Sequence, residues 1–478
     1  MEYKHGIYGS ENPSPTLKAN KSSTVQVVIG TAPVNLIESV PVNEPIEVNS
    51  LNEAKGIFGY SEEFDNYTLC ASMELNFSVF NIAPLVFINI LDKTKHKSDV
   101  MGIVLDVEDK AVISNVTGIL KESVAVKNEA GDTTYTKDTD YSLSFTEEGK
   151  LKVSILDSGA ASSEVKLTLD YSVLDTSKIT DDDVIGGYDA TTNKYTGAHV
   201  IRQVYPKLAL VPGIIIAPGY TQKSAVARKL EELSRNIHDC FNGLLLCDVD
   251  PSIKDHTKVA DWKNDNGYNQ QSILLWPKKK ISGIIYWFSQ VAAAAIQHLD
   301  FGSENVPYKS PSNKKIPIEA AVLNDGTELF LEKEQANILN AAGVVTSINM
   351  SGWRMWGNET CVYPEKDDPK DRYIMTRRMF DFINNQFILR FLDKVDDPTD
   401  KRLIEAIVDG FNMYLNSLQS QGMIMSGKIE FDYSTATPEN LASGKLQFIT
   451  KLGSHVPAKE IIHVTEFDPK GLISIGGE

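Results

Sequence analysis

The chain has 478 residues, 42% of them hydrophobic, with 47 Lys and Arg against 64 Asp and Glu. That length can bury several hydrophobic cores, and the formal net charge of -17 argues against broad, nonspecific binding to nucleic acid. No apolar run approaches the roughly 18 residues of a transmembrane helix, and the N-terminal residues lack the apolar stretch of a signal peptide. The cysteines have no CxxC spacing, so we expect four reduced thiols, at Cys70, Cys240, Cys247 and Cys361.

Residues 1–22 are predicted to form an extended N-terminal arm. They hold too few apolar side chains to fold alone, and Pro13 and Pro15 keep the backbone extended. The alternation around Ile7 and Tyr8 would suit a single strand added to the edge of another sheet. A frayed terminus is the alternative interpretation.

The next region has the pattern of an α/β core domain, predicted over 23–95 and 190–330. Apolar runs typical of strands buried on both faces begin at Val25, Leu85, Leu208, Leu244 and Ser272. Helical segments at 67–80 and 221–240 lie between such runs, which predicts parallel strands joined by crossover helices. A largely buried, alanine-rich helix is predicted after Ile284.

An antiparallel β domain is predicted to be inserted into this core, over 96–189. Four stretches alternate apolar and polar residues, starting near Val124, Tyr141, Leu151 and Val165, and turn residues separate them. The acidic run at 181–183 lacks the Gly and Glu of a calcium-binding loop, so we interpret it as a solvated loop.

A C-terminal domain is predicted over 331–467. A short helix ends at Gly343, a Trp-rich turn follows, and two amphipathic helices come next. The first helix has its apolar face at Tyr373, Met379, Phe380, Ile383, Phe387, Phe391 and Leu392. In the second helix Thr399 or Asp400 provides the N-cap, and Leu403, Ile407, Phe411, Leu415 and Leu418 form the stripe. Strands are predicted from Lys428, Lys445 and Glu460, and 468–478 form a second arm.

The overall prediction is therefore a multidomain α/β (α+β) fold with extended terminal arms and no enzymatic site. Neither strand-end loop of the core, at 216–222 or 239–250, carries a GxGxxG or Walker-type phosphate cradle, and the histidines show no ligand spacing. His238, Asp239 and Cys240 are neighbours in sequence, but adjacent side chains on a helix point about 100° apart. We predict no catalytic residue, no cofactor and no metal.

One stretch resembles a known family. The sequence GWRMWGNET, a short acidic loop and RYIMTRRMFDFI are similar to the conserved region of contractile tail sheath proteins of myophages and phage-tail-like bacteriocins. The matching motif positions are Gly352, Trp353, Arg354, Trp356, Gly357, Asn358 and Thr360. Glu359 stands where the family usually has a basic residue, which leaves a charge contact at this position open.

The resemblance implies a structural subunit that polymerises as helically stacked, hexameric rings around an inner tube and contracts to drive the tube through an envelope. Expected partners are other copies of the chain, the inner tube protein, the baseplate and the tail terminator, without direct nucleic-acid contact or membrane insertion. Sheath subunits of this kind are linked by terminal arms that lend strands to neighbours. The implied arm residues are Ile7, Tyr8, Leu472, Ile473 and Ile475.

The same resemblance places the C-terminal region against the tube and the inserted domain outside. Exposed charges on the two long helices are then candidate tube contacts, namely Arg377, Arg378, Lys401 and Arg402. A solvated helix face or ordinary pairing between subunits is the alternative interpretation of these charges. The expected location is a phage tail or a phage-tail-like particle assembled in the bacterial host cytoplasm.

Two other functions stay open at this point. An α/β enzyme acting on a small metabolite would use the loops at 216–222 and 239–250. A cell-surface adhesin would use the β insertion as its binding module, but the sequence shows no export signal.

Overall fold

The computed structural model describes residues 24–269 and 271–469. The predicted arm at 1–22, with Ile7 and Tyr8, lies outside the described residues, as do Leu472, Ile473 and Ile475. All four cysteines are free thiols. Across the described residues, none of the helices combines the length and the apolar character that a membrane crossing requires.

The first part of the core alternates strands and helices. Its elements are β1 (Val25–Gly30), β2 (Pro45–Val48), α1 (Leu51–Phe58), α2 (Thr68–Met73), which continues as a π-helix over Glu74–Val79, and β3 (Leu85–Asn89). The insertion follows as β4 (Lys97–Asp106), β5 (Ala111–Thr117), β6 (Ala125–Asn128), β7 (Tyr141–Phe145), β8 (Lys150–Ile155) and β9 (Lys166–Leu174).

The second part of the core continues the same pattern. Its elements are α3 (Asp181–Ile185), β10 (Tyr188–Asp189), β11 (Lys194–Tyr195), α4 (Val204–Leu208), β12 (Pro212–Ile216), α5 (Ser224–Ser234), β13 (Leu244–Asp248), α6 (Thr257–Asp265), β14 (Ile273–Leu275), β15 (Lys278–Ile281), β16 (Ile284–Tyr286), α7 (Phe288–Phe301), β17 (Ala320–Val322) and β18 (Glu328–Leu329).

The C-terminal third is mainly helical. It comprises α8 (Lys333–Ala341), β19 (Val344–Asn349), β20 (Trp353–Trp356), α9 (Pro369–Arg372), α10 (Ile374–Phe391), α11 (Lys401–Ser420), β21 (Ser426–Phe431), α12 (Pro438–Ala442) and β22 (Phe448–Gly453).

A mixed sheet organises the core. In the described chain its order is β2-β3-β1-β12-β13-β14-β19-β20, with parallel pairing from β3 to β19 and an antiparallel strand at each edge. The central strands are buried on both faces, which explains their continuous apolar runs. The α/β fold class is confirmed, but the sheet does not end at 330, where we placed the limit of the core, because β19 and β20 complete it.

Helix α7 packs across the middle of this sheet, against β1, β12 and β13. Its alanines Ala292, Ala293 and Ala294 are fully buried, so the small side chains let the helix approach the strands closely. The buried helix predicted after Ile284 is therefore present, although it begins only at Phe288. The residues before it form β16, which pairs with β15 in a second sheet of order β16-β15-β17-β18.

The inserted strands form two three-stranded antiparallel sheets, β4-β9-β6 and β5-β8-β7. They share a hydrophobic cluster of their own, separate from that of the core, to which Val126, Val153 and Leu169 contribute. The predicted alternating stretches correspond to β6, β7, β8 and β9, whereas β4 and β5 are additional strands that the sequence pattern did not reveal. The acidic run at 181–183 opens α3, where Thr180 and Asp183 form a capping box.

The two long helices and the hairpin strands after them form a third cluster. Phe411, Leu415 and Leu418 of α11 pack on Met379 and Ile383 of α10 and on β21, as their spacing predicted. The side chain of Asp400 accepts a hydrogen bond from the Leu403 N–H at 2.7 Å, so Asp400 rather than Thr399 is the N-cap.

The strand predicted from Glu460 is absent. After β22 ends at Gly453, residues 454–468 have no helix or strand assignment, although the residues from Ile461 to Phe467 have strand-like composition. Nothing in the described chain lies beside them as a pairing partner, and a strand without a partner is not formed. We call residues 454–469 the C-terminal segment.

A buried carboxyl group joins β13 to α7. The Asp248 side chain accepts hydrogen bonds from the Ser289 N–H at 2.8 Å and from the Ser289 hydroxyl at 2.5 Å, at the first turn of α7. Burial raises the pKa of Asp248 to about 6, although the two bonds from Ser289 oppose the rise. Ionisation of this side chain therefore destabilises the folded state relative to the protonated form.

We expect this group to make stability depend on pH. An unfolded aspartate has a pKa of about 4, so the folded state binds the proton more tightly. Protonated Asp248 therefore contributes to the free energy of unfolding, and this contribution is fully present below about pH 4. It is lost as the pH rises through about 6, which lowers the free energy of unfolding by about 3 kcal/mol. Asp248→Asn should remove that part of the pH dependence between pH 4.5 and pH 7.

The measurement is the midpoint of thermal unfolding at a series of pH values. Asp265→Asn is the matched control, since Asp265 is exposed on α6. The interpretation fails if Asp248→Asn and wild type lose stability equally between pH 4.5 and pH 7.

Candidate assembly surface

The Trp-rich segment is a strand and not only a turn. Strand β20 pairs antiparallel with β19, with Trp356 opposite Thr346, and so forms the last strand of the core sheet. The Trp353 indole N–H donates to the Glu319 carbonyl at 2.9 Å, and the Trp356 indole N–H donates to the Asn337 side chain at 3.3 Å. Each ring is half-buried and fixed by its N–H.

Glycine is required where this strand ends. Gly357 has φ 143°, and a Cβ atom there would lie 2.9 Å from the Asn340 side-chain nitrogen and 3.0 Å from the Val345 Cα. Both the backbone conformation and the space therefore exclude a side chain. The motif glycine lets the chain pass close over β19.

The rest of the motif fixes the start of α10. The Asn358 carbonyl accepts from the Ile374 N–H at 2.8 Å. The Thr360 hydroxyl donates to the Asp371 carbonyl at 2.7 Å, and its N–H donates to the Arg372 carbonyl at 2.8 Å. These bonds satisfy backbone groups around the first turn of α10, so the motif positions that helix.

Glu359, the departure from the family pattern, is almost completely buried, with 2% exposure. Its carboxylate accepts from Lys459 Nζ at 2.7 Å and lies 3.4 Å from an Arg372 guanidinium nitrogen. It also accepts from the Asn358 N–H at 3.2 Å. The contact left open by the sequence is therefore an ion pair to the C-terminal segment and to the turn before α10.

The exposure that we expected for Arg377 and Arg378 is wrong, because both are buried. Arg377 donates to Asp381 at 2.8 Å and to Asp371 at 3.2 Å. Arg378 pairs with Asp300 at the end of α7, whose side chain is fully buried. These arginines face the core of their own subunit and are not surface contacts.

A third arginine joins α10 to the core domain. Arg235, just after α5, makes a two-pronged contact with Asp381, with nitrogen to oxygen distances of 2.6 Å and 2.8 Å. Asn242 and Asn385 exchange two hydrogen bonds beside it, at 2.8 Å and 3.0 Å. Burial raises the pKa of Asp300, and the charge and hydrogen bond of the neighbouring Arg378 oppose that rise, with a further contribution from Lys309.

Lys401 and Arg402, by contrast, are exposed at the start of α11. Lys401 has 85% of its side chain exposed and lies 3.4 Å from Glu405 one turn along the helix. Such an exposed pair contributes little to stability. These two cations are free to meet another protein.

A groove of about 750 Å³ runs between the motif and the C-terminal segment. Trp356 and Asn337 line one side, together with Lys333 of α8, and residues 457–461 line the other. The motif residues thus border the path along which the chain leaves the body of the protein.

The residues at 238–240, which were considered for an enzyme, lie in a turn between α5 and β13. His238 and Asp239 both have positive φ, and Asp239 pairs with Arg202 at 2.7 Å. Burial raises the pKa of Cys240, which disfavours the reactive thiolate. Within 24–269 and 271–469, no group of three or more His, Cys, Asp or Glu side chains has the arrangement of a metal site.

Comparison with known proteins adds to this geometry. The family model of the phage tail sheath C-terminal domain matches residues 366–465, which contain α10, α11, β21 and β22. The tail sheath protein of Burkholderia phage BcepMu is 24% identical over 500 aligned residues, which cover 99% of each chain. Along its whole length, the chain is thus similar to a contractile tail sheath protein.

A second curated relative and two solved structures are also similar to this chain. The tail sheath protein of Escherichia phage P2 is 33% identical over 111 residues, or 23% of this chain. Two solved structures share the fold: a contracted sheath complex of the extracellular contractile injection system PVC, and a chain of the anti-feeding prophage baseplate. The alignments cover 98% of this chain at TM-scores of 0.58 and 0.57, with 14% and 15% identity.

The acidic partners of the α10 arginines were not among the residues predicted from the sequence. Asp381 lies four residues after Arg377, the spacing of a helical ion pair, and that signal was available. Asp300 and Arg235 gave no signal, because their contacts with α10 span 78 and 146 residues of sequence.

Removing Arg378 should therefore cost much more than removing an exposed arginine. Arg378→Met leaves the Asp300 carboxylate buried without its partner, and we expect a loss of about 3–5 kcal/mol in the free energy of unfolding. The double variant Arg378→Met/Asp300→Leu should recover most of that loss, because no buried charge is left. Urea unfolding of the isolated subunits measures each value.

Arg402→Met is the matched control, with an expected change within about 0.5 kcal/mol. Equal stabilities of Arg378→Met and Arg402→Met would contradict the burial of this pair.

Proposed function

We propose that this chain is the sheath subunit of a contractile tail, in a phage or a phage-tail-like particle. Copies polymerise as helically stacked, hexameric rings around an inner tube, and contraction drives the tube through a target envelope. The family supports the general role, and the C-terminal segment is the observation that carries the mechanism. It is built to find its partner on another copy.

The C-terminal segment leaves apolar side chains in solvent. Ile461, Val464 and Phe467 are 86%, 72% and 78% exposed. A sequence of this composition, without a partner strand in the described part of its own chain, fits a strand donated to a neighbouring subunit. Donation would bury the apolar side chains and satisfy the backbone groups together.

The hairpin of β21 and β22 is the acceptor that the geometry favours. It forms a two-stranded sheet with α11 on one face, and its outer edges meet no third strand of the described chain. The two edges differ. The Asn412 side chain occupies both backbone groups of Ile429 on β21, accepting from its N–H at 2.9 Å and donating to its carbonyl at 3.0 Å.

The open edge is therefore β22. Asp432 N–H donates to the Gln447 carbonyl at 2.9 Å, which sets the hydrogen-bonding phase of the hairpin. Ile429 lies opposite Thr450, so this pair directs its backbone groups away from the hairpin on both sides. The Thr450 N–H thus faces the free edge, where an added strand would bind it.

Contraction would then change the packing of the cores while donated strands keep the copies connected. We propose that the work is stored at assembly, without nucleotide and without enzymatic turnover. The core loops lack a phosphate cradle, which fits this proposal. The proposed partners are the tube, baseplate and terminator proteins, and assembly takes place in the host cytoplasm.

Removing the strands should stop polymerisation but not folding. Deletion of 1–15, or of 460–478, should leave a folded subunit that forms no tubes. Thr450→Pro should do the same, because proline lacks the N–H on the open edge and leaves the bonds between β21 and β22 in place. Negative-stain microscopy and circular dichroism are the measurements.

Thr450→Val is the matched control and should assemble, since it keeps the backbone N–H. Intact tubes from the 460–478 deletion or from Thr450→Pro would rule out strand donation to β22.

The tube contact rests on Lys401 and Arg402 now that Arg377 and Arg378 are excluded by burial. Lys401→Glu/Arg402→Glu should reduce binding of sheath to tube by at least about tenfold, since like charges at an interface cost more than about 1.4 kcal/mol. Cosedimentation with purified tubes measures the binding.

The matched control is Lys95→Glu/Lys110→Glu, which makes the same change in net charge just before and within the insertion. Normal binding by the reversed α11 variant would remove these residues from the proposed interface.

A further inference from the structure

The C-terminal segment is fastened to the body of the subunit at two positions. The first is His455. Its backbone carbonyl accepts a hydrogen bond from the Thr376 hydroxyl at 3.2 Å, and its imidazole Nε2 lies 3.0 Å from the Gly422 carbonyl oxygen. Four residues later, Lys459 donates to Glu359 at 2.7 Å. From Glu460 to Phe467 the segment makes no hydrogen bond or ion pair with the rest of the described chain.

The second contact, the Lys459–Glu359 ion pair, joins a buried carboxylate to a half-exposed lysine. Glu359 is buried and held by the turn before α10, whereas 47% of the Lys459 side chain is exposed. Arg372 does not replace Lys459, because it lies 3.4 Å from the Glu359 carboxylate and also pairs with Asp367. The Glu359 carboxylate therefore depends on Lys459 for its closest cation.

We propose that Lys459 and Glu359 form a latch that fixes the direction in which the C-terminal segment leaves the body. The latch is a positioning device for the donated strand, and in that role it rests on the proposed function. Its charged, half-exposed character makes it strong enough to orient the segment and weak enough to release it.

Chain length sets the size of the effect. With the latch closed, Val464 lies five residues from a fixed point, a reach of about 17 Å. With the latch open, the nearest fixed point is His455, nine residues away, and the reach grows to about 30 Å. The accessible volume grows about fivefold, which lowers the effective concentration of the strand at a neighbouring edge by the same factor.

Distance measurements between two spin labels test the latch in isolated subunits. The labels are placed at Lys333→Cys on α8 and Val464→Cys, in a Cys240→Ser background because Cys240 is the exposed cysteine. We expect a narrow distance distribution in this parent and one at least twice as wide in Lys459→Gln and Glu359→Gln. Lys459→Arg keeps the charge and should keep the narrow distribution, while 1 M salt should broaden that of the parent.

The matched control is Lys451→Gln, which removes a Lys–Glu pair from the β21 and β22 hairpin and leaves the C-terminal segment unchanged. Equal widths for parent and Lys459→Gln, or equal broadening by Lys451→Gln, would overturn the latch. If Glu359→Gln fails to fold, Lys459→Gln decides alone, since Lys459 is half-exposed.

Assembly rates separate the latch from the function on which it rests. Unlabelled Lys459→Gln should form tubes about fivefold more slowly than wild type. If wild type forms no tubes while the label distances respond as expected, the latch stands and strand donation fails. If wild type forms tubes and Lys459→Gln matches it in both rate and label width, the latch fails and the sheath function stands.

Discussion

Burial of charge on α10 is the constraint on which the C-terminal half depends. This helix lies between the core domain and α11, so no side of its first half faces solvent widely. Arg377 and Arg378 are taken out of water there, and each requires an acidic partner at close range. Asp381 and Asp300 supply the charge, and Arg235 completes the set from the core domain.

That requirement explains why the motif residues lie where they do. A buried ion pair between two domains is favourable only when both partners are held in position. Asn358 and Thr360 hold the first turn of α10 through backbone hydrogen bonds, and Gly357 lets the preceding strand approach the sheet. The motif therefore acts as a joint between the core sheet and the helical region, and its half-buried tryptophans border the groove beside the C-terminal segment.

Much of this architecture could be predicted from periodicity. Buried apolar runs gave the parallel strands, alternation gave four strands of the insertion, and the stripe on α11 gave its buried face. Pattern alone failed where a residue's environment is set by distant parts of the chain. An arginine such as Arg378 is expected at the surface, and only the fold brings Asp300 beside it and allows its burial. Residues from Ile461 have strand-forming composition, but no strand lies beside them in the described part of the molecule.

The Asn412 side chain has a consequence for how copies connect. By filling the backbone groups of Ile429 it prevents β21 from pairing with a second hairpin, the edge-to-edge contact through which exposed strands aggregate. In the proposed assembly, each copy can therefore receive a strand at one side of this hairpin only. Linkage by such donation would be directional and unbranched, which would give the proposed array a defined front and rear.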